Sequence, residues 1–208
     1  MKPVICFDMG GTLVRFEQKF NMYNALSNEF DIPEENIRHF IKSSISILNC
    51  DKKQASLKIR CYFELPKESE NIIECLIARK ADFTLFDDTI DTLNLLKQRG
   101  YNLIVMSNAI SFRTYSLEEM GLSDYISHAA YSFDYGYTKP QQQFFSKVEK
   151  NIHISNGQGI IMIGDSLNED VCGAINAGWS AIYLNRKNKQ SVNCRQVNTL
   201  RELLCLFP

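Results

Sequence analysis

The sequence predicts an α/β fold: a parallel sheet with helices on both faces, interrupted after its first strand by an all-helical insertion. Three observations carry this. Residues 4–7, Val-Ile-Cys-Phe, form a β-branched and aromatic run that reads as a buried strand and leads directly into Asp8, Gly10, Gly11 and Thr12. From residue 84 onward, short apolar runs alternate with helical patterns, the signature of parallel strands joined by right-handed crossovers. Between them, residues 17–83 carry helical stripes and no clear strand.

Taken in order, the insertion opens with a helix ending near Phe30, before Pro33, with Phe20, Asn24 and Ser27 on one side. Ile37, Phe40, Ile41, Ser44, Ile45 and Leu48 follow the i, i+3, i+4 rule of an amphipathic helix. Leu57, Cys61, Tyr62 and Leu65 make another stripe, stopped by Pro66, and Ile72, Ile73, Leu76 and Ile77 a further one. These stripes predict four or five helices that pack on one another. The α/β pattern then resumes with a helix capped by Asp87 or Asp88 and stopped by Gly100. Strands are expected at 101–106, 126–132, 159–163 and 181–184, and helices at 112–120, 141–151, 170–177 and 199–206. The joins at 14–17 and 82–86 read as hinges, which divides the chain into a core (1–16 and 84–208) and a helical cap (17–83).

Composition narrows the function. The 208 residues are 45% apolar and 23% charged, with a net charge of -1. Without a long basic run, neither a nucleic acid nor an acidic membrane surface is the expected partner. No apolar stretch approaches the roughly 20 residues that span a bilayer, and the first residues lack a signal-peptide pattern. The seven cysteines lack C-x-x-C spacing and read as free thiols in a reducing cytoplasm, where the protein is expected to reside. His39, His128 and His153 are isolated, Trp179 reads as packing, and the Lys52-Lys53 pair reads as solvated rather than as a Schiff-base site.

The chemistry is concentrated at strand ends. Asp8, Ser107-Asn108 and Asp165 each terminate an apolar run, and parallel strands bring such ends to one edge of the sheet, where open α/β folds bind ligands. Lys139 precedes Pro140 in a loop between them. Taken singly, each is an ordinary cap, turn former or surface lysine.

As a set they resemble two families. The Asp8-x-Gly10-Gly11-Thr12 stretch matches the first phosphate motif of the actin/hexokinase-like sugar kinases, but no second such motif follows. The whole chain is similar to the haloacid dehalogenase-like (HAD) phosphatases, whose Rossmann-like core and helical cap match the pattern above. The first HAD motif is matched at Asp8, Gly11 and Thr12, the second at Ser107 and the third at Lys139. The fourth is matched at Gly164, Asp165, Ser166 and Asp170, followed by Gly173, Ala174, Ala177 and Gly178.

The resemblance implies a Mg²⁺-dependent phosphatase acting on a small phosphorylated metabolite through an aspartyl phosphate on Asp8. It implies Mg²⁺ held by Asp8, Asp165 and the main-chain oxygen of Gly10, with Asp170 behind them. It also implies phosphate contacts from Gly11, Thr12, Ser107 and Asn108, and charge screening by Lys139. One position departs from the pattern. Gly10 stands where most HAD phosphatases carry a second Asp, which protonates the leaving oxygen and activates water. Such help is worth about 10²–10⁴-fold. Its loss implies a slow or selective enzyme, or a catalytically weak member that binds a phosphorylated ligand.

Overall fold

The computed structural model describes residues 1–17, 20–152, 154, 157–188 and 193–208. The central strand is β1 (Val4–Phe7), and a short β2 (Val14–Phe16) follows it. The insertion holds α1 (Met22–Phe30), α2 (Glu34–Phe40), α3 (Lys52–Tyr62) and α4 (Ser69–Ala78). The chain re-enters the core through β3 (Phe83–Leu85), α5 (Thr89–Gln98), β4 (Leu103–Ser107), β5 (His128–Tyr131) and α6 (Ser132–Tyr135). It ends with α7 (Gln142–Asn151), β6 (Ile160–Gly164), α8 (Gly173–Asn176), β7 (Ser180–Leu184), β8 (Gln196–Val197) and α9 (Leu203–Leu206).

Six strands form one parallel sheet in the order β5-β4-β1-β6-β7-β8. Helices cover both faces, so the strands need not alternate in polarity, and every residue of β1 and β4 is buried. Successive β1 side chains still part to opposite faces. Ile5 and Phe7 pack with Leu93 and Leu96 of α5 and Leu203 of α9. Val4 and Cys6 pack with Phe144, Phe145 and Val148 of α7. Each such fully buried side chain contributes about 1.5–3 kcal/mol relative to exposure. The two-faced core fixes β1 in the middle of the sheet and its C-terminal end at the centre of one edge.

The register then sets which residues meet there. Phe7 pairs with Val105 on one side and Ile163 on the other. Asp8 therefore lies level with Met106 and Gly164, and Ser107 and Asp165 lie one residue further out.

The helices of the insertion share an apolar cluster that includes Met22, Leu26, Ile37, Ile41, Ile59 and Ile73. Their faces differ from expectation in two places. In α3 the buried side is Ala55, Ser56 and Ile59, while Leu57, Cys61 and Tyr62 are exposed. Small residues let α3 approach α4, so the closest-packed face is not the most hydrophobic one. In α1 the buried pair is Met22 and Leu26, one turn apart, and Asn24 faces outward.

Other differences have local causes. The expected hinges at 14–17 and 82–86 are a two-stranded antiparallel ribbon, β2 against β3, extended by Glu17 N–H donating to the Asp82 carbonyl at 2.8 Å. Three residues per strand are too few to show a period. The expected helix at 112–120 is a single 3-10 turn, Ser111–Arg113, followed by turns. Ser111 Oγ donates to the Cys50 carbonyl (2.6 Å) and Thr114 Oγ1 to the Ile110 carbonyl (2.8 Å), bonds that draw this segment into a loop. The expected helix at 170–177 begins earlier, as a π-helical stretch Leu167–Cys172 that runs into α8. The final helix starts as a 3-10 turn, Leu200–Glu202. Asp88 does not cap α5 with its side chain. Its carboxylate instead binds Arg186 at 2.8 and 3.1 Å and accepts from Leu200 N–H at 2.7 Å. Among the described residues, no helix is long and apolar enough to cross a membrane.

Candidate active site

The sheet edge gathers a compact charged cluster. Lys139 enters it from the loop before α7 and is 1% exposed. Its Nζ lies 2.6 Å from Asp8 Oδ1 and 2.6 Å from Asp170 Oδ1. Asp165 completes the group. One carboxylate oxygen from each of Asp8, Asp165 and Asp170 can be chosen so that all three lie within 4.8 Å of one another.

Close backbone approach makes this possible. Gly11 has φ +79°, and a Cβ there would collide with the Asp165 carboxylate. A Cβ on Gly164 would likewise run into the Asp170 carboxylate. Both oxygens of Asp170 are engaged, Oδ1 by Lys139 and Oδ2 by Ser166 N–H at 3.0 Å. It thus stands behind the cluster and fixes both the lysine and the start of the Leu167–Cys172 stretch.

The electrostatics follow from three carboxylates sharing one buried ammonium. Burial pushes Asp8 up from 3.8 to about 7, with Lys139 opposing and Asp170 and Asp165 adding to the rise. Asp165 is also raised, first by burial and then by the charge of Asp170. Burial pulls Lys139 down, but the charges and hydrogen bonds of Asp170 and Asp8 more than reverse this and hold it above the ordinary lysine value. The cluster is therefore short of positive charge. An all-oxygen donor set with excess negative charge suits a hard divalent cation such as Mg²⁺, which the residues present could hold through Asp8 and Asp165.

The expected phosphate contacts divide. Ser107, at the end of β4, lines the cavity beside the cluster. Asn108 is used internally: Lys139 N–H donates to Oδ1 at 2.7 Å, and Nδ2 donates to the Lys139 carbonyl (3.1 Å) and to Glu169 Oε2 (3.0 Å). Its side chain thus positions Lys139, and Asn108 also lines the cavity. Thr12 belongs to the turn after β1, and its Oγ1 is buried with no hydrogen-bond partner among the described residues. It is completely buried, its N–H donates to the Met9 carbonyl (3.3 Å), and its carbonyl accepts from Arg186 Nη2 (2.9 Å). Gly11 N–H is also committed, to the Val14 carbonyl at 2.8 Å. Thr12 and Gly11 thus build the turn after β1, and their N–H groups do not face an anion. Gly10 has no positive φ, and a Cβ on it would lie 3.3 Å from the Phe16 ring of β2.

Several groups at this edge are silent in the sequence. Glu169, one residue before Asp170, pairs with Lys42, which follows α2 in the insertion. This ion pair joins elements 127 residues apart. A cavity of about 570 Å³ runs from Met9, Ser107 and Asn108 to Tyr23 and Arg38 of the insertion and Arg113 of the loop after β4. Glu169 could have been flagged by its place between the Gly164-Asp165-Ser166 run and Asp170. Lys42 and Arg113 carry no sequence signal.

The residues read as bland remain so where they are described. His128 Nε2 is 2.9 Å from the Tyr135 hydroxyl, and Lys52 pairs with Glu74 at 3.1 Å. Trp179 stacks edge-on against Phe145, with ring centroids 5.1 Å apart. His153, and Gln18 near the start of the cap, lie outside the described residues.

A family model described as haloacid dehalogenase-like hydrolase matches residues 2–178. The glyceraldehyde 3-phosphate phosphatase of Methanothermobacter thermautotrophicus is 34% identical over 101 residues, 48% of this chain and 44% of that protein. The chain spans about half the length of the curated relatives it matches. Among solved structures, a HAD phosphatase from Thermococcus onnurineus aligns with a TM-score of 0.65 at 26% identity, covering 99% of this chain and 97% of that one. Bacillus subtilis YfnB, a HAD-hydrolase solved bound to magnesium, aligns with a TM-score of 0.64 at 20% identity over 99% and 98% of the two chains, a likeness of fold. The family match takes in Asp8, Ser107, Lys139, Asp165 and Asp170 together with the strands that carry them. The sugar-kinase alternative therefore falls away, and the chain belongs to the haloacid dehalogenase-like hydrolase family.

Proposed function

We propose that the protein is a Mg²⁺-dependent phosphatase that hydrolyses a small phosphorylated metabolite through an aspartyl phosphate on Asp8. The observation that carries this reading is the buried Lys139 bridging Asp8 and Asp170 at 2.6 Å, with Asp165 alongside. A surface salt bridge would not require a fully enclosed lysine and two glycines shaped around the carboxylates. The phosphatase names among the relatives, and the magnesium described for YfnB, support it.

In this reading an Asp8 oxygen attacks phosphorus, the bond from phosphorus to the ester oxygen breaks, and the leaving oxygen departs with that electron pair. Water then cleaves the acyl phosphate, returning the Asp8 carboxylate and inorganic phosphate. Lys139 keeps the Asp8 carboxylate aimed and offsets repulsion between it and the phosphoryl oxygens. Ser107 binds one of those oxygens. Asp165, Asp8 and the main-chain oxygen of Gly10 would hold Mg²⁺, which when bound supplies positive charge to the transferring phosphoryl group. Residues 17–83 act as a cap over the core formed by 1–16 and 84–208. The Lys42–Glu169 pair and the β2–β3 ribbon join the two.

A second reading has its own support. The Phe16 ring lies against Gly10, where the acid of most relatives would stand. The missing proton donor would leave a slow or selective enzyme, or one that mainly binds its ligand. Phosphate release from aryl and alkyl phosphates, with and without Mg²⁺, tests both. Mg²⁺-dependent turnover of an aryl phosphate supports the enzyme, and tight binding with no turnover of any ester supports the binding protein.

A further inference from the structure

Among the described residues, three cations line the cavity above the sheet edge, and they differ in how they are matched. Arg38 donates from Nε to Glu34 at 2.7 Å and stacks over the Tyr23 ring at 4.1 Å. Lys42 is paired with Glu169. Arg113 makes no ion pair among the described residues. Its one side-chain hydrogen bond among them runs from Nη1 to the Ile77 carbonyl at 2.7 Å.

A guanidinium carries five N–H donors in a flat fork. Arg113 is partly buried in the cavity wall, and its Nε and Nη2 make no hydrogen bond among the described residues. The titratable groups that act on it are the phenols of Tyr23 and Tyr115, uncharged near neutral pH, rather than carboxylates. Burial lowers its pKa, as expected for a charge partly withdrawn from water without a counter-ion. The same cavity reaches Met9 and Ser107, beside the Asp8 cluster. Its wall thus adjoins the cluster through Met9 and Ser107 and elsewhere carries an arginine fork with no carboxylate partner among the described residues.

We propose that Arg113 binds a second oxyanion of the substrate, so that the preferred ester is a small phosphate monoester that also carries a carboxylate or a second phosphate. The inference rests on the phosphate site described above and adds the chemical class of its substrate. A planar fork in a partly desolvated wall suits a bidentate oxyanion, and a neutral hydroxylated substrate would leave the Arg113 charge uncompensated. Arg113 is a specificity residue here, distant in role from the bond that breaks.

The test uses non-hydrolysable probes with Mg²⁺ present. Calorimetry compares propylphosphonate with phosphonoacetate, 3-phosphonopropanoate, 4-phosphonobutanoate and propane-1,3-diphosphonate. The wild-type protein should bind at least one doubly anionic probe tenfold or more tighter than propylphosphonate. Arg113→Met should bring that ratio close to one, and Arg113→Lys, which keeps the charge without the fork, should retain part of it. Near-UV circular dichroism confirms that the variants are folded. Equal binding of all probes by the wild type, or a preference that persists in Arg113→Met, overturns the proposal. If the doubly anionic probes bind through Arg113 but no phosphate ester carrying a carboxylate or a second phosphate is hydrolysed with Mg²⁺, the arginine site stands and the phosphatase reading fails.

Discussion

The side chain of Asn108 clasps the main chain of Lys139 at both ends, accepting from its N–H at 2.7 Å and donating to its carbonyl at 3.1 Å. Asn108 follows β4, and Lys139 lies 31 residues later, so this pair anchors the lysine loop to the strand end that also presents Ser107. Asn108→Ala should free that loop and let Lys139 shift relative to Asp8. Displacements of about 1 Å in such groups cost on the order of 10² in rate. The expected result is a fall in kcat with KM for an aryl phosphate little changed. A variant with wild-type kcat would show that Asp170 alone holds Lys139 in place.

The raised carboxylates predict how metal and pH act together. Asp8 faces Lys139, Asp170, Asp165 and Cys6, and its pKa rises from 3.8 to about 7 in the folded protein. The folded state therefore holds a proton that the unfolded chain has lost between those two values. Stability of the metal-free protein should fall as pH rises through that window, with the loss complete above about 7. Mg²⁺ requires ionised carboxylates and relieves their crowding, so its stabilising effect should grow as pH rises. Thermal melts with and without Mg²⁺ at pH 5 and pH 8 measure this, the larger Tm increase being expected at pH 8. An equal or smaller increase at pH 8 would count against a metal at this cluster.

The sheet and the charged cluster were legible because their signals are local and redundant. Val4–Phe7 is buried on both faces and so reads as an unbroken apolar run, and Asp8, Ser107 and Asp165 each end such a run. The failures involve properties that a linear pattern does not encode. The pattern does not show that Arg186, 174 residues away, binds the Thr12 carbonyl and that the turn encloses this residue. Tyr62 looks like core, but Ala55 and Ile59 form the close-packed face of α3. Arg113 sits in a segment with helical composition whose hydroxyls bond to backbone instead, and that loop puts it in the cavity wall.

Gly10 predicts a leaving-group dependence. Without a nearby acid, the leaving oxygen departs as an anion or takes a proton from water, so aryl phosphates should be cleaved and simple alkyl phosphates scarcely. Gly10→Asp is compatible with the backbone, since Gly10 has no positive φ, but its Cβ would lie 3.3 Å from the Phe16 ring. Phe16 is 40% exposed and can yield, and Gly10→Asp combined with Phe16→Ala removes the conflict. The double variant should speed alkyl esters most, on the order of 10²-fold, and aryl esters little. Rates across esters of graded leaving-group pKa check this; a flat wild-type series would mean another group already supplies the proton.

The Lys42–Glu169 pair should guide the cap rather than stabilise the fold. Both side chains are partly exposed, at 44% and 31%, which keeps the coupling to about 1 kcal/mol or less. A double-mutant cycle with Lys42→Met and Glu169→Gln should give a small coupling at low salt that shrinks at 1 M, where the Debye length is about 3 Å. A coupling of several kcal/mol that is insensitive to salt would make the pair a structural anchor.

The central claim is that Asp8 becomes covalently phosphorylated. Wild-type protein mixed with an aryl phosphate and Mg²⁺, acid-quenched within a turnover and reduced with borohydride, can be read by peptide mass spectrometry. The account predicts conversion of Asp8 to homoserine, the reduction product of an acyl phosphate. It also predicts that Asp8→Asn, folded by circular dichroism, shows neither the adduct nor phosphate release. Phosphate release by Asp8→Asn above a tenth of the wild-type rate, with no modification of Asp8 in the wild type, would contradict it.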